Sequence, residues 1–385
     1  MHKTIDFELN KFAIIPDKLR KSSQENTADS EFFVYLAQLY HHYYTDSWGV
    51  NPPRPNPADF EYLRFFAPCN DFRFSHIVSS IHEGKKRTIS YEMGQAFCRY
   101  FLYEMCGITY FAHMDKVLDK KTHPAFNGMS IKRISKGDVP DYLCAKSVLN
   151  PFIGEAKGRF SNIAFSSSAF NEWREQFARI EVLDKRNIRK KLKGFIVATK
   201  FTTEINTLKN RSKLLAEDPE TLGDESLGQD EFGLGRGCIA IHYAKLISKL
   251  GLNLLAQSLE FGFVVPKDIQ YNLPIWRCNF PPLDGQLFVG GYFGDIETDL
   301  RKLSNGHIAF IPNALKLGIP SPSFYGLSLN VFKTLREVCL GEWDRLSNLP
   351  ELPDTDFRPS NLSWLRDGSI SGALEFFEFI GTEIF

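Results

Sequence analysis

The chain has 385 residues, more than one compact hydrophobic core usually fills, so two or three domains or subdomains are expected. Apolar residues make up 43% and charged residues 24%, a globular composition that excludes disordered, collagen-like and coiled-coil chains. Lys and Arg together number 46, as do Asp and Glu, so the overall charge does not indicate a class of partner.

The sequence also indicates where in the cell the protein is expected. No stretch has the roughly 18 apolar residues of a membrane-spanning helix, and the first residues lack the apolar core of a secretory signal. None of the seven cysteines has zinc-ligand spacing. We therefore expect a cytoplasmic protein with reduced thiols and no membrane contact.

Residues 1–88 are predicted to form a mostly helical N-terminal region. Apolar and aromatic side chains recur at helical intervals between Glu31 and Tyr44. Packing of a helix face is the favoured interpretation of these aromatics, and stacking on nucleic-acid bases is the alternative.

From residue 89 to about 260, helices and strands are predicted to alternate. Ser90 is expected to cap a helix that Gly107 ends. The elements expected after it are strands at 108–114, 139–145 and 152–157, a helix after Ser167 or Ser168, a strand at 195–201 and a helix at 238–250. This order predicts an α/β module. Residues 261–385, with short apolar runs between Pro and Gly turns, are predicted to be β-rich.

Two carboxylates and one lysine stand out within these apolar segments. Asp141 follows Pro140 in the second predicted strand, and Glu155 and Lys157 lie in the third. Because strand side chains alternate between faces, Glu155 and Lys157 point to the same side. A short connection would place Asp141 beside them. The alternative is a structural ion pair between Lys157 and Asp141 with Glu155 at its rim.

A divalent cation would offset the repulsion between two buried carboxylates. Hard oxygen ligands suit Mg²⁺ or Mn²⁺, and the carbonyl of Ala156 is a further candidate ligand beside Asp141 and Glu155. Such an ion acidifies water and neutralises charge at phosphorus, while Lys157 could orient or deprotonate that water. These residue types indicate phosphodiester hydrolysis.

Pro140-Asp141 followed by Glu155-Ala156-Lys157 resembles the signature of the PD-(D/E)XK nuclease superfamily, which has the restriction-endonuclease-like fold. Its members share a core of helix, three-stranded meander, helix and strand, with the Asp on the second strand and the (D/E)XK triplet on the third. The resemblance covers about residues 88–205. It implies a metal-dependent nuclease in which Asp141 and Glu155 are ligands and Lys157 is the catalytic lysine.

The resemblance also implies two further site residues. Many members carry a metal-site Glu on the first helix, and Glu92 is the matching candidate here. Several subfamilies have a Gln on the helix after the lysine strand, and Gln176 fits that position. The alternative for Glu92 is an acid that the helix macrodipole favours near the start of a helix. The alternative for Gln176 is an ordinary glutamine at the solvent edge.

Basic residues near the motif are candidates for phosphate contacts. Arg159 would share the Glu155 and Lys157 face if the strand continues. A basic run after the Gln176 helix could contact phosphates, or could equally be a solvated helix face. Its residues are Lys185, Arg186, Arg189, Lys190, Lys191 and Lys193.

We therefore predict a Mg²⁺-dependent endonuclease that acts on double-stranded DNA in restriction or phage defence. A homodimer, or a partner protein of a defence system, is expected. One alternative is a non-catalytic nucleic-acid-binding or scaffold subunit with a nuclease-like fold. The other is a nuclease that acts on RNA or needs a partner, because the neutral net charge lacks the basic surplus of many DNA-binding proteins.

Overall fold

The computed structural model describes residues 2–47, 66–67, 69–76, 78, 82–219, 233–293, 300–302, 308–310, 323–355, 357 and 359–385. They form two compact units, an N-terminal unit made mainly of His2–Asp46 and Arg64–His242, and a C-terminal unit made mainly of Tyr243–Phe385. The division thus lies before residue 260, where the predicted nuclease core was expected to end. Within the described ranges, no helix is both long and apolar enough to cross a bilayer.

The N-terminal unit is a mixed α/β structure, which confirms the predicted class. Its strands are β1 (His2–Asn10), β2 (Glu31–Tyr35), β3 (Arg73–Phe74), β4 (Tyr110–His113), β5 (Ser130–Arg133), β6 (Tyr142–Ala145), β7 (Pro151–Arg159), β8 (Ile180–Leu183), β9 (Arg189–Lys190), β10 (Gly194–Lys200), β11 (Thr202–Thr203) and β12 (Lys213–Glu217). Its helices are α1 (Leu36–Ser47), α2 (Glu83–Cys106), α3 (Met114–Val117), α4 (Ser168–Phe177) and the first part of α5 (Gly233–Lys249).

Seven of these strands form one mixed sheet in the order β2-β1-β12-β10-β7-β6-β4. β4, β6 and β7 are antiparallel neighbours, and β10 runs parallel to β7 on its other side. β7 therefore lies inside the sheet with both edges paired, and its side chains are buried except near its C-terminal end. α3 and β5, between β4 and β6, were not predicted.

The N-terminal residues differ from the predicted helical region. β1 pairs with β12 and β2 pairs with β1, so both strands extend the central sheet. The segment predicted as one helix from Glu31 to Tyr44 starts as β2 and becomes α1 only at Leu36. Phe32 and Val34 are buried while Phe33 is exposed, and this alternation is the strand period, which a short aromatic run does not distinguish from a helical one.

α2 starts well before the predicted cap at Ser90. His82 caps it by accepting a hydrogen bond from the Gly84 amide, and the Ser90 hydroxyl instead donates to the Arg87 carbonyl within the helix. The first turns are polar and mostly exposed, so no apolar periodicity marks them. At the other end Gly107 adopts the left-handed conformation and ends the helix as predicted.

Two glycines let α2 lie directly on β7. A Cβ atom at Gly94 would lie 2.4 Å from the Gly158 nitrogen, and one at Gly158 would lie 1.7 Å from the Ser90 carbonyl oxygen. Because only hydrogen atoms fit between these backbones, the Ser90–Gly94 turn of α2 is fixed against the strand that carries Lys157.

The C-terminal unit is dominated by strands. These are β13 (Asn272–Cys278), β14 (Leu287–Phe293), β15 (Leu300–Lys302), β16 (Ile308–Phe310), β17 (Ser323–Ser328), β18 (Leu362–Trp364), β19 (Ser369–Ala373) and β20 (Phe377–Ile384), with helices α6 (Asn253–Phe261) and α7 (Leu329–Cys339). Six strands form an antiparallel sheet in the order β18-β19-β17-β14-β13-β20. Its core is aromatic and includes Trp276, Phe288, Phe324, Trp364 and Phe377.

Substitution of Gly94 by alanine should destabilise the N-terminal unit. The added methyl group would overlap the backbone of Gly158, and overpacking of this kind costs roughly 1–3 kcal/mol. Gly84→Ala, in the same helix, is the matched control because its Cβ would meet only ordinary contacts at 3.5 Å or more from His82. It should be neutral or stabilising, since alanine favours a helix by up to about 1 kcal/mol over glycine. Urea unfolding followed by circular dichroism measures both, and equal stability of the two variants would contradict the close backbone contact.

Candidate functional site

Asp141 lies immediately before β6 rather than inside the strand, and three hydrogen bonds hold it there. Its amide donates to Glu155 Oε2 at 3.2 Å, and its carbonyl accepts from the Met114 amide at 2.8 Å. Its Oδ2 accepts from the Ala156 amide at 2.8 Å. These bonds place the Asp141 carboxylate against the edge of β7, just where β6 starts.

The structure brings Lys157 to the same point. Its ammonium contacts Glu155 Oε1 and lies 3.7 Å from Asp141 Oδ2. Glu155 and Lys157 are two residues apart on β7, so strand alternation puts both on one face, as predicted. The glycine positions Gly154 and Gly158 occupy the opposite face, where α2 packs.

Burial has the largest effect on the pKa values of Glu155 and Lys157 in the trio formed by Asp141, Glu155 and Lys157. Burial raises the pKa of Glu155 well above its usual value, the Asp141 charge raises it further, and Lys157 opposes both effects. Burial alone would lower the pKa of Lys157, but the Glu155 and Asp141 carboxylates outweigh it and the pKa is raised. Lys157 is therefore a charged ammonium that serves as the counter-ion between two acids.

The donor atoms fit a hard divalent cation. Asp141 and Glu155 supply carboxylate oxygens. The Ala156 amide points towards Asp141, so the carbonyl of Ala156 points to the same edge of β7. In the described part of the chain, no three His, Cys, Asp or Glu side chains gather as metal ligands. Mg²⁺ keeps several waters and often takes only one or two carboxylates, so this donor set suffices.

Glu92, the predicted third acid, lies in the middle of α2 rather than at its start. Its Oε2 accepts a hydrogen bond from the Tyr43 hydroxyl at 3.1 Å. The structure does not place it in a ligand cluster with Asp141 and Glu155 across the described ranges. The helix begins earlier than predicted, so the macrodipole at its N-terminus does not account for an acid at this position.

Gln176 and Arg159 both lie near the Glu155 face of the sheet. α4 packs there through Phe170 and Trp173, and the Arg159 guanidinium lies 5.1 Å from the centre of the Trp173 ring. Gln176 is buried on α4, and its Oε1 has no hydrogen-bond partner among the residues that the structure describes. Buried amide oxygens are rarely unsatisfied, so this one is suited to a water or ligand. No hydrogen bond links Gln176 to the Lys157 trio in the described residues.

The first four residues of the basic run lie in a β-hairpin rather than on a helix face, because β8 and β9 pair across a turn held by Asp184, and Lys191 and Lys193 follow β9. Three of its residues form ion pairs with acids. These pairs are Arg189 with Glu181 at 2.6 Å, Lys190 with Asp184 at 3.3 Å and Lys193 with Asp218 at 2.5 Å. Lys185, Arg186 and Lys191 are exposed. At least three of the six positive charges of this run are thus neutralised within the protein.

A second buried charge cluster, which sequence reasoning missed, adjoins the site. Asp46 Oδ1 lies 3.0 Å from Arg99 Nη1 and 3.0 Å from His113 Nε2, and Asp46 Oδ2 accepts from the Tyr142 hydroxyl at 2.7 Å. Tyr142 directly follows Asp141, so the cluster supports the chain at the trio. Its members come from α1, α2, β4 and β6, and no local sequence pattern could have connected them.

Comparison with known proteins adds no constraint on this arrangement. No protein-family model, curated protein or solved structure matches the chain. The function must therefore be inferred from the geometry and chemistry of these residues.

Removal of the Glu155 charge should stabilise the metal-free protein. Folding raises the pKa of Glu155, so a proton bound to Glu155 favours the folded state. This contribution to stability is fully present below the unfolded-state pKa of about 4.3 and is lost as the pH rises through the folded-state pKa. Glu155→Gln does not titrate, so it should become progressively more stable than the parent as the pH rises, on the order of 1–2 kcal/mol at pH 8.

Urea unfolding with EDTA between pH 5 and pH 8 measures this difference. Glu8→Gln, which alters an exposed carboxylate on β1 paired with Lys213, is the control and should show a small, pH-independent effect. Destabilisation of Glu155→Gln by about 3–5 kcal/mol would instead identify a structural ion pair.

The Asp46 cluster should behave in the opposite way. Asp46→Asn leaves the buried Arg99 guanidinium without its carboxylate, so a loss of about 3–5 kcal/mol in unfolding free energy is expected. Asp17→Asn, which removes an exposed partner of Arg20, should change stability by less than about 1 kcal/mol. Thermal and urea unfolding report both, and a neutral Asp46→Asn would refute a structural role for this carboxylate.

Proposed function

We propose that the protein is a metal-dependent nuclease of the PD-(D/E)XK type that hydrolyses phosphodiester bonds in DNA. The observation that carries this proposal is the convergence of Asp141, Glu155 and Lys157 at one edge of β7. Two acids share one lysine, so the site has a surplus negative charge when both acids are ionised, and a divalent cation would neutralise it in place of the proton that the raised pKa of Glu155 favours.

Each residue has a distinct task in this proposal. Asp141 and Glu155, with the Ala156 carbonyl, would hold Mg²⁺ or Mn²⁺. The bound ion would supply positive charge beside the phosphate and acidify a water. While both carboxylates face it, Lys157 stays protonated, so it acts as a donor that orients a water or a phosphate oxygen rather than as a base. Arg159, on the same face, is placed to contact a neighbouring phosphate.

The order of elements supports a restriction-endonuclease-like core. α2 precedes the antiparallel strands β4, β6 and β7, and α4 and β10 follow, with β10 parallel to β7. Asp141 borders the second strand of this meander, and the acid-x-Lys triplet is in the third. This is the arrangement that the resemblance implies. Homodimerisation and a role in restriction or phage defence remain predictions.

Lys157→Ala should abolish cleavage while the protein stays folded and still binds DNA. The purified protein is incubated with plasmid, linear duplex DNA and RNA, with Mg²⁺ or with EDTA, and products are resolved on gels. Loss of the ammonium should reduce the rate at least about 100-fold, the lower range for a positioned proton donor, and EDTA should stop cleavage by the parent.

Lys213→Ala is the matched control, because Lys213 belongs to another strand of the same sheet and pairs with the exposed Glu8. It should cleave at the parental rate. Parental cleavage by Lys157→Ala, or cleavage unchanged by EDTA, would exclude the proposed mechanism. Binding without cleavage by the parent under every condition would favour the non-catalytic alternative.

A further inference from the structure

Tyr91 lies beside the candidate site but has no assigned role. It follows Ser90 in the turn of α2 whose backbone packs against Gly158, next to Lys157. Its side chain is half exposed, with 50% of its surface accessible, although its neighbours in this turn are mostly buried. The tyrosine is thus held by a fixed backbone and faces solvent on the α2 side of β7, where the charges of Asp141 and Glu155 still act on its phenol.

The Tyr91 hydroxyl is oriented by a buried amide. Its oxygen accepts a hydrogen bond from Gln95 Nε2 at 2.8 Å, and Gln95 is only 4% exposed. The proton of the hydroxyl donates to no acceptor within the described residues. A phenol that accepts one fixed bond directs its proton elsewhere, so this hydroxyl offers a donor to an incoming acceptor.

The charges of three carboxylates act on this donor. Burial, followed by the carboxylates of Asp141, Asp46 and Glu155, raises the pKa of Tyr91 to about 12. The phenol is therefore neutral under ordinary assay conditions and cannot serve as an anionic nucleophile. A lysine here would form ion pairs with the carboxylates, whereas a neutral hydroxyl keeps its proton available beside them.

We propose that Tyr91 is a substrate-contact residue that donates a hydrogen bond to a non-bridging phosphate oxygen of the nucleic-acid strand bound at Asp141, Glu155 and Lys157. This inference rests on the proposed nuclease function. It assigns to Tyr91 a neutral phosphate contact, distinct from the charged contact of Arg159.

The two kinds of contact differ in their response to salt. A cationic side chain that neutralises a phosphate releases a counter-ion, so its removal lowers the slope of log K against log salt by about 1. A neutral donor releases none. Tyr91→Phe should therefore weaken binding about 10-fold at every salt concentration with an unchanged slope, the expected loss of a hydrogen bond to a charged group. Arg159→Ala should reduce the slope.

Fluorescence anisotropy with a labelled duplex measures binding by Lys157→Ala, with and without Tyr91→Phe, in Mg²⁺ and increasing salt. In the otherwise unaltered chain, Tyr91→Phe should lower kcat/KM about 10-fold between pH 6 and pH 9. Tyr292→Phe, at a partly buried tyrosine packed on Trp276 in the C-terminal unit, is the control and should change neither affinity nor rate.

The outcomes separate this inference from the proposed function. If DNA binds and is cleaved while Tyr91→Phe matches the parent in affinity and rate, the Tyr91 contact is refuted and the nuclease function stands. If the salt slope falls with Tyr91→Phe, a neutral donor is refuted. A parent chain that neither binds nor cleaves nucleic acid refutes both.

Discussion

The repulsion between two carboxylates held in a nearly dry environment is the constraint on which the rest of the site depends. Glu155 is fully buried on an interior strand, and Asp141 is tied to the neighbouring residues of that strand by hydrogen bonds. One ammonium, Lys157, lies between them. Such an arrangement is costly, so the rest of the fold must hold it in place. The close glycine contact with α2, on the opposite face of the sheet, fixes the strand that carries Glu155 and Lys157.

A comparison of the two buried clusters distinguishes a structural role from a chemical one. Asp46 is a single charge matched by the single permanent charge of Arg99, with His113 and Tyr142 completing its hydrogen bonds. An acid paired with one buried guanidinium in this way is the arrangement expected of a structural support. At Asp141 and Glu155, two acids share one lysine, and the balance is incomplete within the protein. An unbalanced buried charge is the property expected of a site that acts on a ligand.

Sequence reasoning could predict the trio because its geometry is local. The two-residue period of a strand fixes Glu155 and Lys157 on one face, and a short hairpin brings in Asp141. It could not predict the Asp46 cluster, because four separate elements supply its members. It also placed the start of α2 too late, because polar, exposed turns carry no apolar periodicity. The sequence of β2 predicts a helix because a short aromatic run fits both the helical and the strand period, and only the burial of its side chains distinguishes them.

The distribution of positive charge bears on how nucleic acid would be held. The chain has no net charge, and Arg189, Lys190 and Lys193 in and just after the basic hairpin are paired with acids. Binding that relied on this hairpin would first have to break those pairs, which reduces the electrostatic gain. Affinity would then depend more on contacts at the trio itself, where Arg159 and Tyr91 offer one charged and one neutral donor. Attraction by charge alone does not discriminate among polyanions, whereas donors fixed around a reactive centre select for a phosphate placed correctly within it.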